Sequence, residues 1–165
     1  MANQDYAVLT RVGAGTPMGK LIRRYWIPAA MSEEIPNEAP VRIRLLGENL
    51  VAFRTASRDV GIVGEFCPHR RASLAYARNE GSGLRCLYHG WKICPTGEIE
   101  EMPAEPIDTP LKGKIRAVAY PTCEAGGIVW TYMGPSDRKP PFPRFPWLDL
   151  PPAQRLPVKM YQECN

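Results

Sequence analysis

Histidine is almost missing from this sequence: there are two in 165 residues. Whatever imidazole chemistry the chain performs must rest on that pair. No run of eighteen apolar residues occurs, which excludes a membrane-spanning helix, and residues Met1 to Gly15 lack the basic start and apolar stretch of a signal peptide. The expectation is a soluble, cytoplasmic protein with no membrane partner. Charge of one sign is nowhere concentrated. Twenty-one Lys and Arg stand against seventeen Asp and Glu, a net charge of +4 spread along the chain, so nucleic acid is not expected as a partner. Internal repeats are absent too. Cysteine is sparse and odd in number, at five. Without a secretory signal a disulfide framework has no supporting context, and metal ligation becomes the better question.

What is present suits one ordinary core. Hydrophobic residues make up 44% and charged residues 23%, enough to bury a single domain of this length. Met1 to Val12 carries no periodic signal and reads as an arm. Thr16 and Pro17 mark a helix start, a capping hydroxyl followed by proline at the first helical position. Met18, Leu21, Ile22 and Tyr25 fall on one face of that helix, and Pro28 closes it. So short a helix needs its apolar face and Trp26 docked on a neighbour.

From Val41 the period becomes two, with Val41, Ile43 and Leu45 alternating with Arg42 and Arg44 as in a half-buried strand. Leu50 to Arg54 and Val60 to Phe66 continue as second and third strands of an antiparallel meander. Further short strands are expected at Trp91 to Cys94, Gly97 to Glu100, Ile115 to Tyr120 and Gly127 to Met133. The fold class is therefore all-β. After Gly134 the composition shifts, and eight of the eighteen prolines lie between Pro135 and Pro157. That segment reads as an extended, semi-rigid linker pinned along a domain surface, with Val158 to Tyr161 beginning another strand.

Chemistry concentrates in one stretch: Cys67-Pro68-His69-Arg70, then, counting from Arg70 to Arg85, sixteen residues, then Cys86-Leu87-Tyr88-His89-Gly90-Trp91. Both histidines of the chain lie inside it. Each half offers one thiolate and one imidazole. Four such ligands satisfy a tetrahedral zinc ion by number, but zinc sites commonly pair cysteine with cysteine in one tight loop, whereas both halves here are mixed. A [2Fe-2S] centre with two cysteines on one iron and two histidines on the other uses one ligand of each kind from each loop. Replacing two thiolates by imidazoles removes negative charge, so such a centre accepts an electron more easily than a four-cysteine cluster. Pro68, Gly81, Gly83 and Gly90 suit tight loops that aim backbone N–H groups at sulfide, and Tyr88 and Trp91 are placed to shield the group. Cys94, Cys123 and Cys164 lie outside this spacing and read as free thiols.

The spacing C-x-H, sixteen residues, C-x2-H closely resembles the Rieske family. Thr16-Pro-Met-Gly, Arg24-Tyr-Trp-Ile-Pro28, Leu45 to Arg54, Leu84 to Lys92 and Glu101 to Pro106 extend the likeness to nearly the whole chain. They resemble the N-terminal part of the oxygenase subunit of Rieske non-haem iron ring-hydroxylating oxygenases, of the phthalate dioxygenase-like and phenoxybenzoate dioxygenase-like branch. The resemblance implies a Rieske-type antiparallel β-sandwich with a small cluster-binding subdomain, a short N-terminal helix and a proline-rich C-terminal extension. It divides the chain into a Rieske domain at 1–134 and a linker at 135–165 leading toward a catalytic domain. It implies a Rieske [2Fe-2S] cluster held by Cys67, His69, Cys86 and His89, electrons received from a flavin or ferredoxin-type reductase, and delivery to a mononuclear Fe(II). That iron belongs to an oxygenase catalytic domain, and its two-histidine, one-carboxylate site cannot be built here because both histidines are committed. By itself the chain is expected to transfer electrons and not to oxygenate a substrate, so it reads as a truncated or separately encoded part. Trimers or hexamers are expected only where the catalytic domain is present. Arg71 stands where the family more often has glycine, which implies strain if the backbone there is left-handed.

Two other readings remain beside this one. A stand-alone Rieske ferredoxin would need neither the helix near Leu21 nor the proline-rich tail. A zinc-stabilised structural or interaction module would use the same four ligands without redox chemistry.

Overall fold

Hydrophobic patterning separates edge strands from central ones, and that distinction organises the molecule. The computed structural model describes residues 2–160. In chain order its elements are helices α1 (Ala2–Thr10) and α2 (Pro17–Ile22), then strands β1 (Trp26–Met31), β2 (Val41–Leu45), β3 (Glu48–Arg54) and β4 (Val60–Gly64). Four short strands follow, β5 (Arg78–Asn79), β6 (Leu84–Arg85), β7 (Lys92–Ile93) and β8 (Ile99–Glu101). The last are β9 (Ala119–Tyr120), β10 (Thr122–Ala125) and β11 (Ile128–Tyr132). They pair antiparallel into three sheets ordered β2-β3-β4-β9, β1-β11-β10 and β5-β6-β7-β8. The all-β antiparallel class expected from the sequence is what the chain adopts.

The sheet β2-β3-β4-β9 is covered on both faces. Leu50, Ala52, Val60 and Ile62 point to one core with Ala30 and Val129 of the sheet β1-β11-β10 and with Met133, just past β11. Val51, Phe53 and Val63 point to the other, with Leu84, Ile93 and Ile99 of the four short strands and with Cys67, Cys86 and Trp91. A strand buried on both faces loses the apolar–polar alternation, and β3 and β4 read as continuous apolar runs for that reason. Edge strand β2 keeps the alternation, with Arg42 and Arg44 outward.

Local departures from the sequence reading have identifiable causes. Met1 to Val12 was expected to be an arm, yet Ala2–Thr10 is helical; over residues 6–10 none is buried, with Tyr6, Val8 and Leu9 exposed, so that part offers no buried stripe for a periodicity reading to detect. Helix α2 starts as expected, with Thr16 Oγ1 accepting from the Gly19 N–H at 3.1 Å. It ends at Ile22 and not at Pro28, and Leu21 and Tyr25 face solvent. Pro28 instead sits in edge strand β1 beside a register shift between Pro28 and Ala30, where a missing N–H is tolerated. Trp26 does dock as expected. Val158–Met160 form no strand, and Tyr161 lies outside the described residues.

Residues past Gly134 lie along the sheet β1-β11-β10. Trp26 Nε1 donates to the Pro140 carbonyl at 3.1 Å, and Phe142 meets Trp26 and Trp130 edge-on at 5.5 and 5.6 Å. Phe145 stacks on Trp130 and on Trp147. Proline limits the conformations open to this segment, and the aromatic series anchors it.

A buried polar knot joins the helical start to the central sheet. Arg23, 8% exposed, donates to the carbonyls of Val12, Gly19 and Leu46 and to Glu48 Oε1 at 2.6 Å. Tyr120 OH donates to the other Glu48 oxygen at 2.5 Å. Deleting one partner of such a pair leaves the other charge buried. Glu48→Ala is therefore expected to lower unfolding free energy by about 3 kcal/mol, read from urea denaturation midpoints, whereas a change below about 0.5 kcal/mol would show that the knot is dispensable.

Candidate metal centre

Two loops carry the four residues singled out by spacing. The first, residues 67–72, follows β4; the second, residues 86–91, joins β6 to β7. Their backbones are wired alike. Cys67 N–H donates to the Ala72 carbonyl and Cys86 N–H to the Trp91 carbonyl, each at 2.9 Å. Arg71 N–H donates to the Cys67 carbonyl at 2.9 Å and Gly90 N–H to the Cys86 carbonyl at 3.0 Å. The fifth residue of each loop takes a left-handed conformation, with φ 58° at Arg71 and 73° at Gly90. The strain implied for Arg71 by the sequence resemblance is thus present in the backbone. Its guanidinium lies over the Phe66 ring at 4.9 Å, which offsets part of the loss.

Equivalent loops bring like ligands together. Both thiols are buried, Cys67 at 1% and Cys86 at 3% exposure, and Cys86 lies close enough to Cys67 to act on its ionisation. Burial pushes the Cys67 thiol up to about 11, against the pull of backbone N–H groups of His69 and Arg70 that point at its sulfur. The imidazoles of His69 and His89 meet with ring centroids 4.6 Å apart. Both are only partly buried, and desolvation first, then His69 and Arg70, lower the basicity of His89. Among the described residues no group of three or more His, Cys, Asp or Glu side chains is arranged to hold one metal ion. The donors fall into two pairs, one of sulfur and one of nitrogen.

Neighbouring side chains fix these pairs. The Trp91 ring is buried and stacks on His69 at 4.6 Å, with planes 6° apart, while Tyr88 covers His89 at 3.9 Å but is itself exposed. Trp91 Nε1–H is buried with no hydrogen-bond partner. Gly81 and Gly83 serve the turn between β5 and β6, where the Ala56 N–H donates to the Gly81 carbonyl, and not the ligand loops. Sequence reasoning missed three supports. Glu105 Oε1 comes within 3.9 Å of His69 Nε2, from a stretch with no periodic signal. Arg85 pairs with Glu80 and Glu101, each at 2.7 Å, and donates to the Gly90 carbonyl at 2.8 Å. Arg42 and Ser73 hold Glu65 at the base of the first loop. Arg85 was detectable only by its place directly before Cys86. Cys94 and Cys123 are free thiols, and Cys164 lies outside the described residues.

Hydrogen bonds from Arg85 hold the Glu80 and Glu101 carboxyls below their ordinary value of 4.5. A lowered folded value means that the clamp stabilises above about pH 4.5 and is lost as pH falls through the lowered values. The denaturation midpoint is expected to decline below that point, and to decline less steeply in Arg85→Met when followed from about pH 6 to about pH 3. The matched left-handed turns separate two further substitutions. Arg71→Gly is expected to raise stability by up to about 1 kcal/mol, while Gly90→Ala lowers it by more than about 1 kcal/mol. In the second case an added Cβ meets Pro103 Cγ at 2.8 Å. Thermal melts of both variants check the pair.

Comparison with known proteins agrees with this geometry. A family profile described as the Rieske [2Fe-2S] domain matches residues 25–119. The phthalate 4,5-dioxygenase oxygenase subunit of Pseudomonas putida is 49% identical over 164 residues, covering 98% of this chain and 37% of that protein. Among solved structures, dicamba monooxygenase with non-heme iron and dicamba superposes with a TM-score of 0.71 at 25% identity, over 80% of this chain and 40% of that one. The oxygenase of a reduced oxygenase–ferredoxin complex of carbazole 1,9a-dioxygenase gives 0.63 at 30% identity, over 86% of this chain and 37% of that one. The chain thus spans less than half the length of these relatives. Paired thiols, paired imidazoles and this match agree: the chain belongs to the Rieske [2Fe-2S] domain family.

Proposed function

We propose that Cys67 and Cys86 hold one iron of a [2Fe-2S] cluster and His69 and His89 hold the other, and that the domain relays electrons from a reductase to a mononuclear non-haem iron in an oxygenase catalytic domain. The observation that carries this reading is the sorting of the four donors into a buried sulfur pair and an outward imidazole pair. A single tetrahedral ion draws four donors to one point, and two pairs suit a two-iron group better. Backbone N–H groups aimed at the Cys67 sulfur and the unpartnered Trp91 Nε1–H are donors available to an electron-rich sulfur centre. When bound, the cluster supplies one-electron chemistry at a potential of roughly −150 to +300 mV.

This chain's own residues supply position and shielding. The apolar core around the thiols excludes water on the cysteine side, while Trp91 and Glu105 enclose His69 and leave His89 beneath an exposed Tyr88. The electron donor in this reading is a flavin or ferredoxin-type reductase, a proposal supported by the oxygenase–ferredoxin complexes among the structural relatives. Assembly into trimers or hexamers would accompany the catalytic domain. In this reading the protein works in the cytoplasm, where a reducing environment would keep Cys94 and Cys123 as free thiols.

Anaerobic purification followed by iron and acid-labile sulfide counts, absorption and EPR tests the assignment. Two irons and two sulfides per chain, with a reduced signal whose average g lies below that of a four-cysteine cluster, is the expected result. Colourless protein holding stoichiometric zinc would overturn it. His89→Cys is expected to lower the reduction potential toward the four-cysteine range, and an unchanged potential would remove His89 from the ligand set.

A further inference from the structure

Apart from Glu105, which lies 3.9 Å from His69, the carboxylates that flank the two ligand loops are neutralised from within the chain. Glu65 is paired with Arg42, Glu80 and Glu101 with Arg85, and Glu100 with Lys92. Arg70 and Arg71 are different. Both are exposed on the first ligand loop beside His69, and among the described residues neither guanidinium is ion-paired. Two guanidinium charges without an ion-pair partner among the described residues therefore lie on the loop beside the imidazole pair, where Glu105 also meets His69. Arg71 also occupies a left-handed position that the matched loop fills with Gly90 without strain. A bulky residue in that conformation is unfavourable for the fold, and backbone strain of this kind concentrates where a side chain must be presented. Its ring contact with Phe66, itself 38% exposed, holds the guanidinium at the surface.

We propose that Arg70 and Arg71 are the docking charges for a redox protein whose electron-exchange face carries carboxylates. This rests on the cluster assignment above and adds the chemistry of the partner. On docking, the partner's centre is oxidised by one electron and this domain's centre is reduced by one, with no bond made or broken. Exposed charges at the rim of such a contact steer encounter and lose their effect as salt screens them.

The test uses the cluster-bearing chain and a reduced plant-type ferredoxin of net negative charge. Arg71→Gln removes the charge and keeps the left-handed turn, Arg71→Gly removes both charge and strain, and Arg71→Lys keeps a charge. At low salt, stopped-flow reduction by the ferredoxin is expected to slow about three- to tenfold in the Gln and Gly variants, with binding to immobilised ferredoxin weakened by a similar factor. The Lys variant should stay near the parent. Photoreduced deazaflavin, small and uncharged, should reduce all four proteins alike, and raising the salt should bring their ferredoxin rates together. Overturning results would be a Gln variant as fast as the parent, a Lys variant as slow as Gln, equal slowing with deazaflavin, or no binding of ferredoxin by the parent. Absence of cluster absorption in the parent would remove the cluster assignment instead, while the binding measurement would still read the charge of Arg71.

Discussion

Two cysteine thiols held side by side inside an apolar core are the constraint on which the rest of this structure depends. Burial disfavours a thiolate, as the raised Cys67 value shows. Everything around the thiols keeps them close and dry. Each sits at the start of a loop closed by the same pair of backbone hydrogen bonds, and each loop springs from a strand that faces the same core. Because β4 is buried on both faces, the strand that leads into the first loop has no solvent side toward which that loop could relax.

Outside this dry centre, ion pairs set the loops. Arg85 ties Glu80, Glu101 and the Gly90 carbonyl together, and Arg42 with Ser73 does the same for Glu65 beside the first loop. Exposed pairs contribute little stability, but a carbonyl held beside a left-handed turn gives these contacts a geometric role that their strength alone would not. The loops are nevertheless unequal. One places glycine at the left-handed turn and the other an arginine, so the second loop is conformationally relaxed while the first presents a charge at some expense to the fold.

The site was more legible in the sequence than the fold around it. Ligand identity depends on residue type and short spacing, both local, and with two histidines in the chain there was little to choose among. The meander β2-β3-β4 was legible because edge strand β2 alternates and its neighbours are long. Helix α1 was not, since its residues 6–10 bury no side chain and carry no periodic signal. Strand β1 was misread because Pro28 suggests an ending until one knows that the strand lies at a sheet edge. The two-residue strands β5 and β6 are too short to show any period.

Sequence alone singled out the four candidate donors, the all-β class and the strained position at Arg71, because each follows from residue chemistry over a few neighbouring positions. Only the tertiary structure decided that the donors sort into a sulfur pair and a nitrogen pair, that Trp91 of one loop stacks on His69 of the other, and that Glu105 reaches the same imidazole. Those contacts join residues from separate loops, and packing around a shared core brings them together where no local pattern could.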